Sequence, residues 1–224
     1  MDKRHLDTNE ESSKRVKTNE ITLDNILDCI DNTWVPDNVY GNYRFIYYKT
    51  HKCIVHDLLQ DRIVKVFSDV EEFKDEFNNH QRLLGYPNIQ EYCILKCGSR
   101  NNRKLLYFPY VKDREALNRI YNILDELDKK TRVAIYKSLV ECLQFLQRNN
   151  IRHGDLHVGN VLVDLEPVPK AWLIDFEGVS FCEETRDEES MEKYQSYLSD
   201  CHTAFLKEVQ QYMRLWYSDI HGKI

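Results

Sequence analysis

Two short apolar runs, Val161–Val163 and Trp172–Ile174, are separated by a turn containing Pro167 and Pro169. Runs of this kind pair as an antiparallel hairpin. Asn160 precedes the first run and Asp175 follows the second, so the hairpin sets an amide and a carboxylate on neighbouring strands at one end, about 5 Å apart. Those two oxygens are hard ligands of the kind Mg²⁺ takes while water and substrate phosphates fill the rest of its sphere. Asp155 lies just upstream on the loop leading to Asn160 and would face the same point, where a carboxylate can orient a hydroxyl and take its proton during phosphoryl transfer. His153 and Gly154 fit a loop that must turn sharply.

The first half of the chain leads up to this unit with a different pattern. From Asn42 to Phe67, β-branched and aromatic residues alternate with polar turns (YRFIYY, CIVHDLL, RIVKVF), which predicts three antiparallel strands. Glu71 to Leu84 carries apolar residues at Phe73, Phe77, Leu83 and Leu84 and stops at Gly85 and Pro87, the spacing of a helix. EYCILKCG and KLLYFPYV, joined by SRNNR, read as two more strands. Beyond Asp113 the pattern turns helical, over Ala116 to Leu127, Thr131 to Gln147 and Glu188 to Tyr217. In the last of these, Tyr194, Tyr197, Phe205, Tyr212, Leu215 and Trp216 are expected to pack in the core. Within the third strand, Lys65 shares a face with Ile63 and Phe67 while Val64 and Val66 take the other, and a charge placed there needs a partner.

His153-Gly154-Asp155 with Asn160, followed by Asp175-Phe176-Glu177, resembles the catalytic loop and metal motif of the protein-kinase-like superfamily. The resemblance implies an α+β, bilobal fold: an antiparallel-sheet N-lobe with one main helix over 21–110 and a small, mostly helical C-lobe over 111–224; residues 1–20, almost without apolar side chains, are expected to be a flexible polar tail. It implies ATP and Mg²⁺ as cofactors, with Asp155 as catalytic base and Asn160 and Asp175 as metal ligands. It further implies that Lys65 contacts the nucleotide phosphates and that a helix glutamate holds it. Glu76 has the expected spacing; Glu72, one turn earlier, competes. Phe108-Pro109-Tyr110-Val111 would be the hinge, with the backbone of Tyr110 and Val111 meeting adenine.

Several positions depart from the protein-kinase pattern. No glycine-rich loop precedes Lys65; the first hairpin turn is Lys49-Thr50-His51-Lys52, so the charge near the phosphates would have to come from Lys49, His51 or Lys52. Gly154 replaces the arginine that reads activation-loop phosphate, Glu177 stands in place of glycine, and no Ala-Pro-Glu follows. The stretch after Asp175 has room for one or two helices. His-Gly-Asp-Leu-His with Asp-Phe-Glu is more similar to aminoglycoside and choline phosphotransferases, lipopolysaccharide-core kinases and atypical fungal or bacterial kinases. These relatives imply a hydroxyl acceptor on a protein or a small molecule. The alternative is a pseudokinase, a nucleotide-binding or scaffold module without turnover.

Composition removes other classes. A net charge of -6 supplies no global field for nucleic acid, and no apolar run approaches the ~20 residues of a membrane span. The seven cysteines are scattered in apolar stretches, as expected of free thiols in a reducing, cytoplasmic setting. Lys3, Arg4, Lys14, Arg15 and Lys17 could be read as a nuclear-import address, although a solvated tail accounts for them more simply. The acidic run from Glu183 to Glu189 is expected to be a solvated loop.

Overall fold

Three strands form where the β-branched and aromatic residues alternate: β2 (Tyr43–Lys49), β3 (Lys52–Asp57) and β4 (Arg62–Phe67). With β1 (Val39–Tyr40), β5 (Gly98–Arg100) and β6 (Leu105–Pro109) they make one antiparallel sheet in the order β1-β2-β3-β4-β6-β5. The computed structural model describes residues 21–23, 26, 37–49, 51–96, 98–100, 102, 104–110, 115–116, 126–165, 167–182 and 187–221. The expected polar tail with its basic cluster, and Glu183 to Arg186 of the acidic run, lie outside these residues.

Period-two alternation gives the sheet two buried faces. Cys53, Val55, Val64, Val66, Leu105 and Tyr107 pack with Phe45 and Ile26 on one face. Phe67, Leu106 and Phe108 pack with Phe73 on the other. Each large side chain so buried contributes about 2 kcal/mol of transfer free energy.

The helix expected after β4 is α1 (Val70–Leu84), capped by Asp69, whose carboxylate accepts from the amides of Glu71 and Glu72 at 2.7 and 3.0 Å. Its buried stripe is Phe73, Glu76, His80 and Leu83, so a carboxylate is carried inward on an apolar face. The second half is built on α2 (Lys129–Arg148), whose buried residues include Ile135, Leu139, Cys142, Leu143 and Leu146. It ends in α3 (Glu188–Tyr212) and α4 (Tyr217–His221). Asp187, at the end of the acidic run, caps α3 by accepting from the Ser190 amide at 2.9 Å, with Glu188 and Glu189 in the first turn beside the positive end of the helix dipole.

The hairpin forms, one residue out of the register that would set Asn160 opposite Asp175, so that Asn160 meets Ile174 instead. β9 (Val161–Asp164) and β10 (Lys170–Leu173) pair antiparallel, with Val161 opposite Leu173 and Val163 opposite Ala171. It is anchored on α2, where the Ser138 hydroxyl accepts from the Ala171 amide at 3.0 Å and the Cys142 thiol donates to the Ala171 carbonyl at 3.4 Å.

Three expectations are corrected. The edge strand expected over EYCILKCG falls on Gly98–Arg100 (β5) instead: Ile89–Glu91 is a short 3-10 turn and Cys93 makes a single parallel bridge to Leu173. The reason is a better partner, since the Ile94 amide donates to the Leu173 carbonyl at 3.0 Å and the Leu173 amide to the Tyr92 carbonyl at 3.0 Å. This stretch therefore ties the first half to the hairpin. Ala116 is not helical either; Glu115–Ala116 forms β7 against β9, and 117–125 lie outside the described residues. Among the C-terminal residues expected in the core, Phe205 and Leu215 are buried, but Tyr197 and Trp216 are 42% and 77% exposed.

The architecture is α+β, a six-stranded antiparallel sheet joined to a mostly helical half. Cys53, Cys93, Cys142 and Cys182 are buried free thiols and Cys201 is partly buried. Burial pushes Cys53 up to about 12, which leaves an inert thiol. Among the described residues no helix is long and apolar enough to cross a membrane.

Candidate active site

Lys65 is the centre of the site. It points from β4 toward α1, is buried, and its Nζ donates to Glu76 Oε1 at 2.7 Å and to Asp175 Oδ1 at 2.5 Å. The strand, the helix and the hairpin thus meet at one ammonium. Glu76 rather than Glu72 holds it, because Glu76 lies in the buried stripe of α1. Burial alone would push the Lys65 ammonium down, but the Glu76 and Asp175 carboxylates more than offset it and hold its pKa above the ordinary lysine value. Burial alone would push Glu76 up; Lys65 outweighs that and holds it at about 2.

Asp155 and Asn160 form a second pair on the loop between β8 (Ile151–Arg152) and β9. The Asn160 Nδ2 donates to the Asp155 carbonyl at 2.9 Å and to its Oδ2 at 3.1 Å. That aims the Asp155 carboxylate and commits the nitrogen of the Asn160 amide, leaving Oδ1 as its remaining acceptor. The Asp155 side chain is 62% exposed, open to an incoming hydroxyl.

The two pairs are locked together through the backbone. The Ile174 amide donates to the Asn160 carbonyl at 3.0 Å, so Asp175 leaves the hairpin one step beyond that pairing, with a left-handed φ of 65°. The Ile174 carbonyl accepts from His153 Nε2 at 2.9 Å, and the Asp155 amide donates to His153 Nδ1 at 3.4 Å. One ring nitrogen donates and the other accepts, which fixes the neutral tautomer. His153 is fully buried, and burial lowers its pKa to about 4.

Gly154 is required by geometry. Its φ is 89°, and a Cβ there would sit 1.9 Å from the Gly178 carbonyl oxygen. The loop and the segment after Asp175 are therefore pressed backbone to backbone, next to the pairing of β8 with β11 (Ser180–Phe181). Phe176 is fully buried between His153, at 4.5 Å between ring centroids, and His80, at 6.5 Å.

Among the remaining sequence candidates, Tyr110 stacks on His56 at 3.7 Å between ring centroids; Val111 lies outside the described residues. On the first hairpin turn Lys52 turns inward and is buried, His51 is exposed, and the side chain of Lys49 lies outside the described residues. Glu177 was not expected to take part. It bonds Lys52, and its carbonyl accepts from Asn79 Nδ2 at 3.3 Å. Lys52 was one of the three residues expected to bring charge to the phosphates, whereas Glu177 had no local signal in the sequence.

Among the described residues no group of three or more His, Cys, Asp or Glu side chains could hold a metal. The Asn160 amide and the Asp175 carboxylate are the residues whose oxygens could hold Mg²⁺, a cation that takes one or two protein oxygens and leaves the rest of its sphere to water and phosphate. Lys65, bonded to Asp175, and Lys52, which shares the Glu76 carboxylate with it, are buried cations of the kind that suits phosphate oxygens.

The family model described as lipopolysaccharide kinase (Kdo/WaaP) family covers residues 35–191, a span that contains the sheet, α1, α2, the Asp155 loop and the hairpin.

Proposed function

Because the chain belongs to the lipopolysaccharide kinase (Kdo/WaaP) family, and so to the protein-kinase-like superfamily of phosphotransferases, we propose that it transfers the γ-phosphate of ATP to a hydroxyl group in an Mg²⁺-dependent reaction. The observation that carries the proposal is the Lys65 ammonium bonded at once to Glu76 and Asp175. An isolated buried lysine would be costly, and here it is held where a strand, a helix and the metal-motif hairpin converge.

In this reading the cleft lies between an N-lobe over 21–110 and a C-lobe over 111–224, and the backbone of Tyr110 and Val111 receives the adenine. Lys65 binds the phosphates and Glu76 positions Lys65. Asn160 and Asp175 would hold Mg²⁺, which supplies neutralisation of phosphate charge when bound. Asp155, aimed by Asn160, takes the proton of the acceptor hydroxyl as its oxygen bonds the γ-phosphorus and the bond to the bridging oxygen of ADP breaks. His153 holds the loop in register through the Ile174 carbonyl. With each of these roles filled, turnover is favoured over a pseudokinase module.

The family description points first to a sugar hydroxyl; a protein hydroxyl is the other acceptor class. Incubating the purified chain with γ-labelled ATP, Mg²⁺ and a cell extract separated into protein and small-molecule pools tests both. Label should enter one pool and fail to do so with Asp155→Asn. Equal labelling by the variant would remove Asp155 from its role, and no labelling above background would remove the transferase reading.

A further inference from the structure

Lys52 opens β3, directly opposite Phe67 across the β3–β4 ladder, while Ile54 lies opposite Lys65. Residues two apart on a strand share a face, so Lys52 and Lys65 project from the same side of the sheet, the side that looks onto α1 and Asp175. Lys52 is only 4% exposed. Its ammonium stands 3.9 Å from Glu72 Oε1 and 3.9 Å from Glu76 Oε2, and it bonds the Glu177 carboxylate. The Oε2 atom of Glu76 is buried and has no hydrogen-bond partner. One carboxylate therefore separates the two lysines, Lys65 on Oε1 and Lys52 on the side of Oε2.

Burying an ammonium costs several kcal/mol unless an anion meets it. The anion that meets Lys52 most closely belongs to the opposite side of the cleft: Glu177 follows the hairpin, whereas Lys52 belongs to the sheet. The Glu177 side chain is 41% exposed, so it can leave the pair for water at small cost, and Lys52 cannot. The turn before Lys52 has no glycine with which backbone amides could approach a phosphate. A side-chain cation at the rim of the sheet provides the charge that such a turn lacks.

We propose that Lys52 and Glu177 form a latch across the cleft, in which Lys52 is a second phosphate-binding lysine that Glu177 holds until the polyphosphate of a nucleoside triphosphate takes its place. The inference rests on the nucleotide reading above. The exchange swaps one oxyanion for another on the same ammonium, so no buried charge is left unpaired, and the cleft opens on the phosphate side only when a ligand of that charge arrives.

Binding of ATP, ADP and adenosine, each with Mg²⁺, is measured by calorimetry for the unmodified chain, Lys52→Met, Glu177→Gln and the double variant. Each protein is first checked for cooperative unfolding. Lys52→Met should weaken ATP roughly tenfold, the worth of one charge-assisted hydrogen bond, and leave adenosine unchanged. Glu177→Gln should tighten ATP by removing the competitor, and should have no effect once Lys52 is Met. ATP affinity that is unaltered in Lys52→Met, equal losses for ATP and adenosine, or weaker ATP binding in Glu177→Gln would each overturn the latch while leaving the nucleotide site standing. Should Lys52→Met not fold, the direction of the Glu177→Gln effect decides alone. Absence of ATP binding by the unmodified chain would remove the nucleotide reading, and the latch with it.

Discussion

Acidification should loosen the Asp155 loop before it unfolds the rest of the chain, and His153 sets the scale. The ring is fully buried, donates from Nε2 to the Ile174 carbonyl and accepts at Nδ1 from the Asp155 amide. A proton on Nδ1 would cost that second bond and place a charge in an apolar site beside Phe176. In the unfolded chain the ring takes up a proton near 6.5, and in the fold only near 4. The contribution of neutral His153 is thus complete above pH 6.5 and is lost as pH falls from there through 4. At 1.36 kcal/mol per pH unit, the difference amounts to about 3 kcal/mol once the pH is below both values. Urea unfolding of the unmodified chain and of His153→Gln, near pH 7.5 and near pH 4.5, isolates it. Glutamine keeps a donor for Ile174 and does not titrate. The unmodified chain should lose about 2 to 3 kcal/mol more than the variant over that interval. Equal losses would refute the assignment of a buried, neutral His153.

Two further substitutions probe the frame around the site. Gly154→Ala forces a Cβ to within 1.9 Å of the Gly178 carbonyl oxygen at a φ of 89°, and should destabilise the chain by at least about 2 kcal/mol in denaturant titrations. A neutral effect would mean that the loop is not pressed against the Gly178 segment. Lys65→Met leaves the buried Glu76 carboxylate without its 2.7 Å partner and should cost about 3 kcal/mol in the same assay. The further substitution Glu76→Gln should restore part of that loss, and no restoration would argue against the pair as the source.

What the sequence makes legible here is whatever depends on neighbours in the chain or on period. The hairpin from Val161 to Leu173 announces itself by two short apolar runs and a proline turn, and Asn160 and Asp175 flank those runs at one end. Lys65 stands out because a charge on an apolar strand face needs a partner, and Glu76 follows from the spacing that the kinase resemblance implies. The stretch from Glu91 to Gly98 misleads for the opposite reason. Its residues suit a strand, but its partner is Leu173, far away in sequence. β7 consists of two residues, too few to show any alternation, and it exists only because Val163 offers an edge. Glu177 meets Lys52 across the whole length between sheet and hairpin, a contact for which no local pattern exists.

Asn160 and Asp175 are proposed to hold a divalent cation on a bound nucleotide within reach of Asp155. Calorimetric titration of ATP with and without Mg²⁺, on the unmodified chain and on Asn160→Ala and Asp175→Ala, tests it most directly. Mg²⁺ should strengthen ATP binding to the unmodified chain, and each variant should lose most of that gain. A gain from Mg²⁺ that is the same in all three proteins would contradict it.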